Sequence, residues 1–207
     1  MIVMKFGGTS VGDASAIKRL VEIVKTRLDR KPVVVVSAIS KATDTLQKAA
    51  HFSENGELGN AIKLLKELEI RHINICKELL GEDSDNFVKV TAVIKEYFSD
   101  VIELLKGVSL LSELSDRSLA KIITHGELLS SAMINAVLNH SNIKTKLLDA
   151  RDFIYTDNNY LIGEPLTDRI KSEVPKFVKD VLSENDVVLT QGFISNTEDK
   201  ITTTLGR

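Results

Sequence analysis

Met1-Ile2-Val3-Met4-Lys5-Phe6-Gly7-Gly8-Thr9-Ser10-Val11-Gly12-Asp13 opens the chain, and its reading decides the rest. Ile2, Val3 and Met4 are an apolar run suited to a buried strand, and Lys5 stands at its end. Gly7 and Gly8 follow at once, then Thr9 and Ser10. From about Asp13 the pattern turns helical, with Ile17, Leu20, Val21, Val24 and Leu28 recurring at three- and four-residue steps. The unit is therefore strand, lysine, glycine turn, helix. That order suits phosphate: glycines let backbone N–H groups approach an anion and permit positive φ, and a helix N-terminus adds orphan donors. A lysine alongside supplies a full charge for an oxygen in transit. A Walker A loop is excluded, because there the lysine follows the glycines. A short Lys-x-Gly-Gly taken alone is usually just an edge lysine before a tight strand–helix turn.

Working outward, Pro32-Val33-Val34-Val35-Val36-Ser37-Ala38 is an unbroken apolar run, as expected of a parallel strand buried on both faces. With the first strand and the intervening helix it makes a right-handed βαβ unit. Ligands of open α/β sheets collect beyond the carboxyl ends of the strands, so Lys5 and Ser37 are expected to share one cleft. Ser37 to Asp44 then leads into a helix, which Ser40 is expected to cap. Ile143 to Arg151 reads as a third strand, and Asp186 to Ile194 as a fourth that runs into a loop at Gly192 and Phe193. Asn196 to Lys200 reads as a hairpin tip. Thr167 to Leu182 is helical, with Pro175 predicting a kink or two pieces.

Between about 56 and 139 the pattern is helical with few breakers. Leu64, Leu65, Leu68, Ile75, Leu79 and Leu80 mark one stripe, and Val90, Val93, Ile94, Phe98, Val101, Ile102 and Leu105 the next. Gly81 and Gly107 punctuate them. His125-Gly126-Glu127 is expected to interrupt a third stretch. A glycine inside a helix costs about 1 kcal/mol against alanine, so Gly126 wants a reason such as a close approach.

Composition narrows the class. With 43% hydrophobic and 27% charged residues the chain is an ordinary globular one, and a net charge of −2 gives no bulk attraction to nucleic acid. The single cysteine, Cys76, excludes an internal disulfide and falls in a helical pattern, where it is expected to be buried. No apolar run approaches the roughly 20 residues a membrane span needs. Lys5 and the glycines break any signal-peptide layout, so a cytoplasmic location is expected.

The string Lys5-Phe6-Gly7-Gly8-Thr9-Ser10-Val11 resembles the opening signature of the aspartate kinases, within the amino-acid kinase superfamily. Later blocks resemble the same family in order: Ser37 to Asp44, Thr124 to Ser130, Asp149 to Arg151, and Ile201 to Arg207. The resemblance implies an α/β three-layer sandwich with a mostly parallel central sheet, incomplete at the C-terminus, and a helical insertion at about 56–139. Residues 1–207 are then the amino-acid-substrate part of the kinase domain, with the nucleotide-binding half and regulatory domains absent. The implied reaction is ATP-dependent phosphorylation of L-aspartate with Mg²⁺, the first step toward lysine, threonine and methionine, in a full-length homo-oligomer. This segment alone is expected to be inactive.

Residue by residue, the resemblance implies Lys5, Gly7 and Gly8 as the catalytic group. Those three, with Thr9 and Ser37, face the phosphates of ATP, and Thr43, Glu127, Phe193 and Arg207 bind the substrate. Glu127 grips the α-ammonium and Arg207 a side-chain carboxylate. His125 is a supporting residue rather than a base, Arg151 either lines the cleft in a supporting role or pairs with Asp149, and no protein metal ligand is identified. Where the family has a glycine after Phe-Ile, this chain has Ser195. Two alternatives stay open: a sibling kinase acting on glutamate, acetylglutamate, carbamate or a nucleotide, or a non-catalytic aspartate-binding fragment.

Overall fold

A computed structural model describes residues 1–206. Four strands, β1 (Ile2–Phe6), β2 (Pro32–Val36), β3 (Thr145–Leu147) and β4 (Val187–Gln191), form one sheet in the order β1-β2-β4-β3. All three pairings are parallel, as runs apolar on both faces demand. The register sets Met4 beside Val34, Val34 beside Leu189, and Leu189 beside Leu147. That row belongs to the larger core, under the helices α1 (Ala14–Lys25), α2 (Ala42–Glu54), α3 (Leu58–Leu80), α4 (Asp85–Leu111) and α5 (Asp116–His140). One residue along, Val33 and Val188 face the other way and pack with Val178 and Leu182 of α6 (Thr167–Glu184). Helices on both faces of a parallel sheet give the three layers expected. A short antiparallel ribbon, β5 (Ile194–Asn196) with β6 (Thr202–Thr204), carries the hairpin.

Several local expectations are corrected. The third strand is short: after Leu147 the chain enters a 3-10 turn over Ala150–Asp152, because the Asp149 carboxylate accepts the Arg151 N–H and caps it. Gly107 lies inside α4 on its exposed side, and the helix ends only where Ser112 turns left-handed at φ 51°. His125, Gly126 and Glu127 interrupt nothing, since α5 runs through them and buries residues all round its circumference. Pro175 sits within an unbroken α6; the carbonyl it orphans belongs to exposed Lys171, where water can take it. Ser40 does not cap α2. That position is Lys41, held left-handed at φ 66° with no side-chain cap bond.

Cys76 is buried in α3, and burial pushes its thiol up to about 12, so it is an inert core residue. No helix among the described residues is long and apolar enough to cross a membrane.

Candidate active site

One pocket opens beyond the carboxyl ends of β1, β2 and β4, with a cavity volume of about 480 Å³. Lys5, Gly8, Ser37, Thr43, Glu127 and Phe193 all line it, brought together from positions up to 188 residues apart in the chain (193 − 5). Gly7 and Thr9 lie on the same turn but do not line the pocket, and Arg207 lies outside the described residues.

The glycine turn works by contact, not by unusual dihedrals. Gly7 has φ −75°, and only Gly56 and Gly81 among the glycines have positive φ. A Cβ on Gly8 would stand 3.0 Å from the Ala38 carbonyl oxygen, so the turn presses directly on the loop after β2. Gly7 meets nothing within 4 Å and is free of that constraint. A 3-10 turn over Gly8–Val11 separates Gly7 from α1. The Asp13 carboxylate caps α1 by accepting the Ala16 N–H at 2.8 Å. The first turn of α1 is thus occupied by the protein's own carboxylate.

Lys5 shares a sheet row with Val35 and Thr190, one residue before the strand ends. Its stem passes over Gly192: a Cβ there would lie 3.8 Å from Lys5 Cε and only 2.8 Å from Val35 Cγ1. Val35 is therefore what demands glycine at 192, while the lysine stem passes at ordinary contact distance.

Glu127 is the most constrained group. It projects from mid-α5 and is 3% exposed. Its Oε2 accepts two backbone N–H bonds, from Gly192 and Phe193, each at 2.9 Å. Burial pushes its carboxyl up to about 7, a rise that those amide bonds and the nearby Lys5 partly oppose. An acid that is half neutral near pH 7 and lies in a pocket with a lysine suits a cationic ligand, whose charge would complete its ionisation.

The packing of α5 explains the placement. A Cβ on Gly126 would stand 3.0 Å from Ala38 Cβ and 3.4 Å from Thr43 Oγ1, so the close approach that a mid-helix glycine suggests is an approach of the β2–α2 loop. Ser130 Oγ donates to the Ser37 carbonyl at 2.8 Å. Gln191 donates to Ser131 Oγ at 2.7 Å and accepts from the Ala150 N–H at 2.9 Å. These contacts tie α5 to both walls of the pocket.

Two residues weighed for supporting roles turn away. His125 is two positions from Glu127, hence on the far side of α5, where it edges onto Tyr97 and donates from Nδ1 to the Lys121 carbonyl at 2.9 Å. Burial lowers its pKa. Arg151 is gripped by Asp149 at 2.6 Å and, with His125 and Tyr97, lines a second cavity, not the pocket. Among residues that the sequence reading did not single out, Lys41, Asp44 and Leu205 also line the pocket. The left-handed backbone at Lys41 is the only local sign of its place, and it is invisible in the sequence.

The sequence profile of the amino acid kinase family matches residues 1–207. The chain belongs to the amino acid kinase family. Among the relatives it matches, an aspartokinase of Chlamydia muridarum is 34% identical over 209 residues, covering all of this chain and 42% of its own length. Aspartokinase 1, chloroplastic, of Arabidopsis thaliana is 31% identical over 213 residues, 99% of this chain and 35% of its own. Among solved members, aspartokinase III of E. coli in complex with aspartate and ADP superposes with a TM-score of 0.85 at 26% identity, over 100% of this chain and 44% of that one. The chain thus spans about two fifths of the length of the family members compared.

Proposed function

We propose that this chain carries the amino-acid-binding side of an aspartate kinase, which transfers the γ-phosphoryl group of ATP to the β-carboxylate of L-aspartate. The observation that carries the reading is the joint presence of Lys5 and buried Glu127 on one pocket at the strand ends. A carboxylate oxygen of aspartate attacks the γ-phosphorus, a P–O bond forms, and the bond to the departing ADP oxygen breaks. Lys5 and the N–H groups of the Gly7–Gly8 turn, with Thr9 and Ser37 beside them, oppose the charge on the transferring group. Positioning and charge stabilisation are the main demands of this chemistry.

Glu127 accepts the α-ammonium in charge-assisted hydrogen bonds, with Thr43 and Phe193 walling the substrate and Arg207 proposed for a carboxylate. Mg²⁺ is expected to arrive on the nucleotide's phosphate oxygens, the usual habit of this ion. No group of three His, Cys, Asp or Glu among the described residues could hold it, so no step is assigned to it.

The test is phosphorylation by the full-length protein with Mg-ATP, trapping the acyl phosphate with hydroxylamine. Hydroxamate from L-aspartate, and far less from L-glutamate or N-acetylglutamate, supports the reading. ADP release with glutamate, acetylglutamate or carbamate but not with aspartate would replace it with a sibling activity.

A further inference from the structure

We propose that Arg71, which lies on α3 and outside the pocket, is a positioning residue that fixes the spacing of the two loops on the phosphate side of the site. One end of its guanidinium donates to the Ser40 carbonyl at 2.7 Å, and the other to the Gly12 carbonyl at 2.9 Å. Ser40 belongs to the β2–α2 loop, whose residues Ser37 to Lys41 line the pocket. Gly12 closes the turn that Gly8 begins. A single planar fork thus bridges the two loops.

The loops also meet each other closely. A Cβ on Gly8 would stand 3.0 Å from the Ala38 carbonyl oxygen, and one on Gly12 would stand 3.4 Å from Ser40 Cβ. Contact at the glycines stops the loops moving together, and Arg71 stops them moving apart. Lysine cannot replace the fork, since an ammonium lacks the fixed two-point geometry. Nothing local requires the arrangement: Arg71 lies 31 residues after Ser40 and 59 after Gly12. Ser130 of α5 also holds the β2–α2 loop, at Ser37, but Arg71 donates to both loops at once.

Arg71 also borders a surface cavity of about 520 Å³ with Asp13, Glu67, Asn74 and Glu78, so a small cation can reach the place its side chain occupies. That opening permits chemical complementation. The proposal takes the identity of the phosphate side from the proposed kinase function, and the experiment keeps the two separable.

The first measurement is amide hydrogen exchange on Arg71→Lys, Arg71→Met and Arg71→Ala against wild type. We expect about tenfold or faster exchange confined to Gly8–Gly12 and Ala38–Lys41, with the interiors of α3 and α4 unchanged. The second is steady-state kinetics in the full-length protein. We expect kcat to fall by about 10²-fold, as for a small misplacement of reacting groups, while KM for aspartate moves far less. Millimolar guanidinium should partly restore both loop protection and kcat in Arg71→Ala, and sodium chloride at equal ionic strength should not. Exchange at the two loops matching wild type, or a rise spread evenly along α3 and α4, overturns the proposal, as does full kcat in Arg71→Met. If the wild-type protein does not phosphorylate aspartate at all, the kinase reading fails, while the exchange pattern and its guanidinium response still decide the role of Arg71.

Discussion

Replacing Glu127 with glutamine should make the protein more stable at alkaline pH while weakening its grip on aspartate. The buried carboxyl titrates at about 7 instead of the ordinary 4.5. Each tenfold change in proton affinity is worth about 1.4 kcal/mol, so the displacement corresponds to on the order of 3 kcal/mol. The sign follows from which state holds the proton. Between pH 4.5 and 7 the folded protein keeps a proton on Glu127 that the unfolded chain gives up. The associated stability is fully present below 4.5 and is lost as pH rises through 7.

Glutamine removes the charge but keeps a carbonyl oxygen that can accept the Gly192 and Phe193 N–H groups. Glu127→Gln should therefore match wild type near pH 5 and exceed it near pH 8.5. In a chain of this size each kcal/mol is roughly 2–4 °C, so the midpoint should differ by several degrees at the alkaline end. The assay is a series of thermal melts of both proteins from pH 5 to 9, paired with aspartate titrations at pH 7.5. Affinity for aspartate should fall by an amount equivalent to about 2–5 kcal/mol, the usual cost of removing one member of a buried charge pair. Melting curves that stay parallel across the whole pH range would refute the argument, because the carboxyl would then titrate normally.

Lys5→Ala in the full-length protein should lower kcat by roughly 10²–10³-fold with aspartate binding retained, and a rate within threefold of wild type would remove Lys5 from the reaction. Gly126→Ala adds a methyl 3.0 Å from Ala38 Cβ. It should cost about 1–3 kcal/mol in urea unfolding despite the better helix former, and an unchanged midpoint would mean the loop yields freely. His72 is fully buried, donates from Nδ1 to the Leu68 carbonyl and has no partner for Nε2 among the described residues. Burial, helped by Arg71, lowers its pKa to about 4. The folded state therefore resists protonation, and on the order of 3 kcal/mol should drain away as pH falls from 6.5 through 4. His72→Leu should flatten that acid limb in urea titrations at pH 7 and 4.5.

What the sequence disclosed depended on range. The valines of β2 and the strand–lysine–glycine opening are local patterns, and each produced the element and the pocket edge expected. Glu127 could be placed in the site only by family resemblance, since its partners are the amides of Gly192 and Phe193, 65 and 66 residues away. Helical periodicity gave no help there either, because α5 is buried on every side and shows no polar stripe. Arg151 left two readings open, the cleft or Asp149, and the second holds for the opposite reason: its partner is only two positions away, and that short contact outcompetes the cleft. Ser40 was a reasonable cap by type, but the left-handed Lys41 beside it sets the start of α2, and no propensity announces such a residue.

The strand order has a consequence for the chain as it leaves the ribosome. Val33 finds its second strand neighbour only in Val188, and the pocket is lined by residues from Lys5 to Gly206. At about 5–20 residues per second, synthesis leaves β2 without that neighbour for on the order of ten seconds or more. During that time a five-residue run of Pro32 and four valines carries an unpaired hydrogen-bonding edge, the kind of segment that recruits other strands. The yield of soluble protein should therefore be governed less by the finished fold than by how quickly β4 follows, and by whatever shelters β2 until it does.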